Sequence, residues 1–284
     1  MERQNLPSRF FIIRDAMNTK EKHILLSNDD GINSPGLWAA ADALSDLGYV
    51  TVAAPRDHMS ATGRGFQKNS DGRITTQKLE VRGHEWDVYA VGGSPSQSVV
   101  HGILEISPEK PDLLVSGINY GENFGTDITY SGTVGAAMEA ASLGIPALAM
   151  SRQLLEEEWD KYLEGVDFSN AAYFTHYFAE KMLKNPLPED VDVLNVVVPA
   201  EATPETPWKI TRLANLRYYN PYVVREGKWE EEGKIHSHIL KEEEIPPGND
   251  IYTVRVEKLV AVTPLSLDLT SRVNPDLLDS LLRE

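Results

Sequence analysis

His23-Ile24-Leu25-Leu26-Ser27-Asn28-Asp29-Asp30-Gly31 is the stretch that decides how the chain is read. Ile24, Leu25 and Leu26 are consecutive apolar residues, the pattern of a strand buried on both faces. The run stops at Asn28, Asp29, Asp30 and Gly31. In an open parallel sheet this carboxyl end of a strand borders the ligand crevice. Two adjacent carboxylates there repel each other and call for a cation or a shared proton. Hard divalent ions take such oxygen ligands. A plain polar turn explains the same four residues, because Asn, Asp and Gly are turn formers.

Outward from this stretch, residues 36–47 carry Leu37, Ala40, Ala41, Ala43, Leu44 and Leu47 at helical spacing, with Gly48 as the stop. Residues 49–54 form a second buried strand closed by Pro55, which completes a βαβ unit. Residues 55–65 are then a polar loop, and residues 74–81 and 86–91 read as strands. Ser94 and Pro95 mark a helix start, with the helix reaching about residue 104. Residues 112–116 are another buried strand. The Gly-, Thr- and Asn-rich segment 122–133 is a long functional loop ahead of a small-residue helix over 134–143. A strand over 147–150, an amphipathic helical stretch over 156–184 and a strand over 191–198 follow. In the helical stretch, Tyr173, Phe174, Tyr177 and Phe178 are read as core packing.

From about residue 208 the texture becomes β-rich. Residues 229–234 are acidic and hairpin-like, 251–262 alternate as a strand ended by Pro264, and a short helix closes the chain near 275–282. The reading is therefore α/β: a Rossmann-like, doubly wound, mostly parallel sheet with a β-rich C-terminal oligomerisation arm. It divides into an N-terminal extension (1–20), a catalytic core (21–205) and an arm (206–284).

Composition narrows the function classes. There are 43 acidic and 27 basic residues, a formal net charge of −16, which argues against a long nucleic-acid partner. A small anionic substrate remains open, since a metal or a helix N-terminus supplies local positive potential. With no cysteine, disulfides, thiolate catalysis and cysteine-ligated zinc are excluded. No apolar run reaches the ~18 residues of a membrane span, so no membrane association and a cytoplasmic location are expected.

Four polar clusters follow predicted strands: 28–31, 57–65, 92–97 and 116–133. A parallel sheet brings such loops to one edge. Asp29, Asp30, a hydroxyl of Ser60 or Thr62 and the amide oxygen of Asn119 form a candidate oxygen ligand set for Mg²⁺ or Mn²⁺. Tyr130-Ser131-Gly132-Thr133 directly precedes a helix, whose free N–H groups and hydroxyls make an anion seat. Ser131 and Thr133 are also a natural helix cap, and the two roles are compatible. Asn33 points to the site or stabilises its loop. His58 and His101 are read as structural. His236 and His238 share a strand face without a third ligand and are read as a solvated hairpin.

At these residues the chain resembles the SurE family of metal-dependent nucleotidases, also called survival proteins. The matching motifs are Ile24 to Gly31 with Ser34-Pro35-Gly36, then Ser60-Ala61-Thr62-Gly63, then Pro111 to Asn119. Tyr130 to Glu139, Leu194 to Pro199 and Val262-Thr263-Pro264-Leu265 continue the series. The resemblance implies a Rossmann-like core, one Mn²⁺ or Mg²⁺ per subunit held by Asp29, Asp30, Ser60 and Asn119, and hydrolysis of nucleoside 5′- or 3′-monophosphates, often with short polyphosphate. It also implies homodimers or homotetramers through C-terminal exchange and an extended hairpin near Tyr218 to Asn249. One segment departs: where the family often has Gly-Thr-Pro-Ala-Asp-Cys, this chain has Gly93-Ser94-Pro95-Ser96-Gln97-Ser98.

The expected mechanism is direct attack of water on phosphorus, with Asp29 or Asp30 taking the proton. Gly117, Ser131, Gly132 and Thr133, with Asn33, would contact the phosphate. A covalent aspartyl-phosphate is the competing route. A non-catalytic nucleotide-binding or assembly protein on the same fold is the alternative of another class. A dinucleotide-dependent oxidoreductase is disfavoured, because no Gly-x-Gly-x-x-Gly opens the first helix.

Overall fold

The structure is a computed structural model and describes residues 21–155, 158 and 165–283. The N-terminal extension, residues 1–20, lies outside the described residues, as does most of the first part of the helical stretch expected over 156–184.

The quoted stretch forms β1 (His23–Ser27), every residue of which is buried. It pairs in parallel with β2 (Tyr49–Pro55) on one side and β5 (Leu113–Tyr120) on the other. Beyond β2 lie β4 (His84–Val91) and, antiparallel to it, β3 (Ile74–Val81). Beyond β5 lie β6 (Ala147–Arg152) and β7 (Val193–Val198), both parallel. The sheet continues through β11 (Val260–Leu265), antiparallel to β7, and β8 (Trp208–Ile210). The order of the nine strands is β3-β4-β2-β1-β5-β6-β7-β11-β8. Among the parallel strands next to the β1–β5 gap, chain order runs outward through β1, β2 and β4 on one side and β5, β6 and β7 on the other, so the gap is the topological switch point where such sheets bind ligands.

Helices cover both faces, as the unbroken apolar run of β1 requires. Ile24 and Leu26 enter a core with Leu37, Ala40 and Leu44 of α1 (Pro35–Leu44) and Phe174 and Phe178 of α4 (Ser169–Lys184). Leu25 enters the opposite core with Val99 of α2 (Pro95–His101) and Val134, Ala137 and Ala140 of α3 (Gly132–Ser142). Of the aromatic stripe on α4, Phe174 and Phe178 are core residues, whereas Tyr173 is 44% exposed.

The C-terminal region differs from its sequence reading in three places. Residues 251–262 do not form one strand: α5 (Asp250–Arg255) comes first and β11 follows. Ile-Tyr-Thr-Val alternates like a strand, but Asn249 caps the helix by accepting from the Tyr252 N–H at 3.0 Å, and Ile251 and Val254 point together into a third core. Pro264 does not end a strand but lies inside β11. β8 and β11 complete the main sheet, so only β9 (Tyr219–Val224) and β10 (Lys234–Ile239) stand apart, as a two-stranded hairpin. The chain ends in α6 (Pro275–Arg283), with Leu277, Leu278, Leu281 and Leu282 exposed.

Candidate metal and phosphate site

Asn28 shapes the turn that ends β1. Its side chain donates to the Gly31 carbonyl at 3.1 Å and accepts from the Gly31 N–H at 3.2 Å. Gly31 has φ +96°, a conformation that favours glycine. The turn reading thus holds for Asn28 and Gly31, while the side chains of Asp29 and Asp30 are left for other partners.

Those partners come from β5 and α3. The Thr133 hydroxyl donates to Asp29 Oδ1 and lies 3.0 Å from Asn119 Oδ1. The Asn119 amide is turned this way because its Nδ2 donates to the Gly121 carbonyl at 2.6 Å. Asp30 Oδ2 accepts the Tyr120 N–H at 3.0 Å. Asp29 and Asp30 are only 5% and 8% exposed. Burial pushes the Asp29 carboxyl above the ordinary carboxylate range, against the opposing pull of the Thr133 hydrogen bond and the nearby His58.

The loop after β2 supplies the remaining wall. The Met59 N–H donates to the Asp29 carbonyl at 2.8 Å, which places the loop beside β1. The Ser60 hydroxyl shares a 2.6 Å hydrogen bond with His58 Nε2, and that nitrogen lies 3.7 Å from Asp30 Oδ1. His58, read as structural, therefore borders the site, between two of the expected ligands. Its position two residues before Ser60 in one loop was the signal available for it.

α3 begins against Asp29. Ser131 caps it by accepting the Val134 N–H at 3.1 Å. Gly132 leaves no room for a side chain: a Cβ there would lie 2.7 Å from Asp29 Cβ and Oδ2. A Cβ on Gly135 would lie 2.4 Å from the Gly63 carbonyl, so the helix start and the Ser60 loop touch backbone to backbone. Gly117 has a packing explanation, since a Cβ there would lie 2.3 Å from the Met150 carbonyl oxygen. Asn33 is exposed, and no hydrogen bond ties it to the described site residues.

The segment that departs from the family pattern is built into the scaffold. Ser94 caps α2, and its hydroxyl donates to the Gly65 carbonyl at 2.6 Å. The Gln97 amide exchanges two hydrogen bonds of 3.2 Å with the Gln67 backbone. His101 lies at the end of α2 beside Glu105. His236 and His238 flank the Tyr222 ring on the hairpin, and among the described residues no three His, Cys, Asp or Glu side chains form a metal cluster. A groove of 580 Å³ between α1 and α4 contains none of the converging residues.

The converging donor set suits a hard divalent cation. It consists of carboxylate, carboxamide and hydroxyl oxygens. Asp29 Oδ1 and Asn119 Oδ1 both face the Thr133 hydroxyl, whose single proton fully serves one acceptor. A cation relieves this crowding of oxygen lone pairs and the penalty of a buried carboxylate. Beside it lies the N-terminus of α3, an eleven-residue helix, the end that favours an anion.

These features define a Rossmann-like α/β protein whose converging carboxylate, carboxamide and hydroxyl oxygens lie at its sheet switch point, as a candidate cation site. The family described as survival protein SurE matches residues 24–220. A protein named 5′-nucleotidase SurE from Thermococcus kodakarensis is 43% identical over 262 residues, spanning 88% of this chain and 95% of its own length. Its namesake from Archaeoglobus fulgidus is 42% identical over 259 residues, 90% of this chain and 95% of that one. The crystal structure of the SurE protein from Aquifex aeolicus superposes with a TM-score of 0.73 at 34% identity, covering 92% of this chain and 100% of that one. The chain belongs to the SurE family.

Proposed function

We propose that this protein is a divalent-metal-dependent 5′-nucleotidase, hydrolysing nucleoside monophosphates to nucleoside and phosphate, with 3′-nucleotides and short polyphosphate as further substrates. The observation that carries the reading is the convergence of Asp29, Asp30, Asn119 and Thr133 at the start of α3. The names of the relatives give the substrate class.

One Mn²⁺ or Mg²⁺ would be held by Asp29, Asp30, Ser60 and Asn119. When bound it supplies Lewis-acid polarisation of the phosphoryl group and a lowered pKa for the attacking water. The chain's own groups do the rest. Thr133 fixes the Asp29 carboxylate and the Tyr120 N–H fixes that of Asp30. The N–H groups at the start of α3, with the Ser131 and Thr133 hydroxyls, hold phosphate oxygens as charge shifts from phosphorus to the leaving group. Gly132 keeps the approach to Asp29 free of any side chain. Water attacks phosphorus, its proton passes to an aspartate oxygen, and the bond to the nucleoside oxygen breaks as that aspartate returns the proton to the leaving oxygen. Both aspartates are engaged in hydrogen bonds, which favours water over an aspartate as nucleophile.

The exposed leucines of α6 and the exposed Val223, Val224 and Ile235 of the hairpin support assembly into homodimers or homotetramers through this arm. Among the described residues no helix is long and apolar enough to cross a membrane, and the nucleotide substrate fits a cytoplasmic location.

The test is phosphate release across a mononucleotide panel with Mn²⁺, with Mg²⁺ and with EDTA, using Asp30→Asn as control. Metal-dependent release that Asp30→Asn abolishes is expected. Full activity in that variant refutes the site.

A further inference from the structure

Tyr219 stands beside the site with its hydroxyl unspent. A Cβ on Gly121 would lie 4.0 Å from that hydroxyl and 4.0 Å from the Asn119 amide nitrogen. Gly121 has φ +110°, so glycine is favoured there and the strip of backbone between the two groups stays bare. Two neighbouring tyrosines are occupied otherwise: the Tyr120 hydroxyl donates to the Glu158 carbonyl, and that of Tyr218 meets Arg255. Among the described residues no hydrogen bond engages the Tyr219 hydroxyl. Burial pushes its pKa well above the ordinary value, so it remains a proton donor. Tyr219 is half-buried, so this donor is open to a ligand.

Its position is enforced from the phosphate seat. Asp127 Oδ2 accepts the N–H groups of both Tyr218 and Tyr219 at 2.8 Å, and Arg217 Nε lies 3.4 Å from Asp127 Oδ1. Asp127 belongs to the turn Gly125–Tyr130, which runs straight into Ser131. Arg217 is also 5.9 Å from the centroid of the Tyr130 ring. One carboxylate thus ties the backbone of Tyr219 and the Arg217 guanidinium to the turn that carries the Tyr130 ring, directly before Ser131. A planar base with a sugar finds in them the stacking and donor groups that suit it.

We propose that Tyr219, with Arg217 and Tyr130, forms the wall that takes the nucleoside part of the substrate, the Tyr219 hydroxyl donating a hydrogen bond to it. The proposal rests on the nucleotidase reading and adds the residues that separate nucleotides from other phosphate esters. Tyr219 also packs edge-on against Tyr218, with ring centroids 4.8 Å apart. Phenylalanine preserves that packing and removes only the hydroxyl.

The experiment compares wild type with Tyr219→Phe on two substrates, adenosine 5′-monophosphate and p-nitrophenyl phosphate, and measures adenosine binding by calorimetry. KM for the nucleotide is expected to rise about tenfold, the worth of one hydrogen bond, with kcat kept. Turnover of p-nitrophenyl phosphate stays unchanged, and adenosine binding weakens by the same factor as the nucleotide. Equal effects on both esters, or none on either, overturn the wall while leaving the nucleotidase reading in place. Adenosine binding that depends on the Tyr219 hydroxyl, in a protein that releases no phosphate from nucleotides, upholds the wall and overturns the nucleotidase reading. Neither turnover nor adenosine binding overturns both.

Discussion

Replacing Gly132 by alanine tests how tightly the site is built. The added Cβ would lie 2.7 Å from Asp29 Cβ and Oδ2 and 3.1 Å from Cγ. Ordinary carbon contacts need about 3.5 Å or more, so the two residues must separate by roughly 0.8 Å. The helix start cannot retreat easily: Gly63 donates to the Tyr130 carbonyl at 2.9 Å, and Gly135 already abuts the Gly63 backbone. The Asp29 backbone is held too, by the bond from Met59. The displacement therefore falls on the Asp29 side chain. A misplacement near 1 Å in a catalytic constellation costs about 10²-fold in rate, or ~2.7 kcal/mol of barrier. Overpacking itself costs about 1–3 kcal/mol of stability, a fall in Tm of a few degrees in a chain of this size. The assay pairs initial rates of phosphate release with a thermal melt. Gly83→Ala is the control, because it meets nothing within 4 Å but sits at φ +77°. It should lower Tm and leave kcat alone. A Gly132→Ala enzyme with kcat within about threefold of wild type would refute the inference that Asp29 must stay where this backbone puts it.

Thr133→Val keeps the shape of the side chain and removes the hydroxyl between Asp29 and Asn119. The Mn²⁺ concentration for half-maximal activity should rise about 10–100-fold, as for other residues that orient metal ligands; an unchanged metal titration would show that the bridge does not orient them. Asp29→Asn should abolish phosphate release yet stabilise the metal-free protein. Burial raises the Asp29 pKa on folding, so the folded state binds more protons and the stability of the metal-free wild type falls as pH rises from ~4 toward the raised value. Urea midpoints at pH 4 and pH 7 should therefore diverge in favour of the variant at the higher pH, and equal differences at both would count against a buried, ionising Asp29.

Much of the site is legible in the sequence because the information is local. An apolar triplet ending in Asn-Asp-Asp-Gly, repeated strand–loop–helix units and Ser131 ahead of a small-residue run each state their geometry within a dozen residues. The parallel-sheet rule then brings the loops together. What is not legible depends on distant partners. Thr133 meets Asp29 across 104 positions, and Asp127 meets the Tyr218 N–H across 91. Neither Thr nor Asp carries a pattern that announces such a bond. The strand expected over 251–262 failed for a related reason. Its residues suit either conformation, and the Asn249 cap with the third core decides in favour of α5. His58 lay in a recognised loop two residues before Ser60, but the turn of its ring toward Asp30 depends on a distant partner.

The long-range bonds also bear on how the C-terminal region relates to the core. Asp250 spends one carboxylate oxygen on the Gly125 N–H and the other on the Ala214 N–H, each at 2.8 Å. Asp127 does the reverse, reaching from the loop before the anion seat to Tyr218 and Tyr219. Two buried carboxylates thus cross-link the segment 125–130 to the residues around 214–219, and β11 closes the sheet against β7 beneath them. Truncating either aspartate would leave two buried backbone N–H groups without partners, a cost of about 1–3 kcal/mol for each. The hairpin begins at Tyr219, immediately after this clamp. Any partner that docks on the hairpin therefore pulls on the strand that carries Tyr219 of the proposed nucleoside wall. Assembly through the hairpin, as proposed, and the proposed substrate recognition would then share one short segment, and the sharing follows from where Asp127 places its two oxygens.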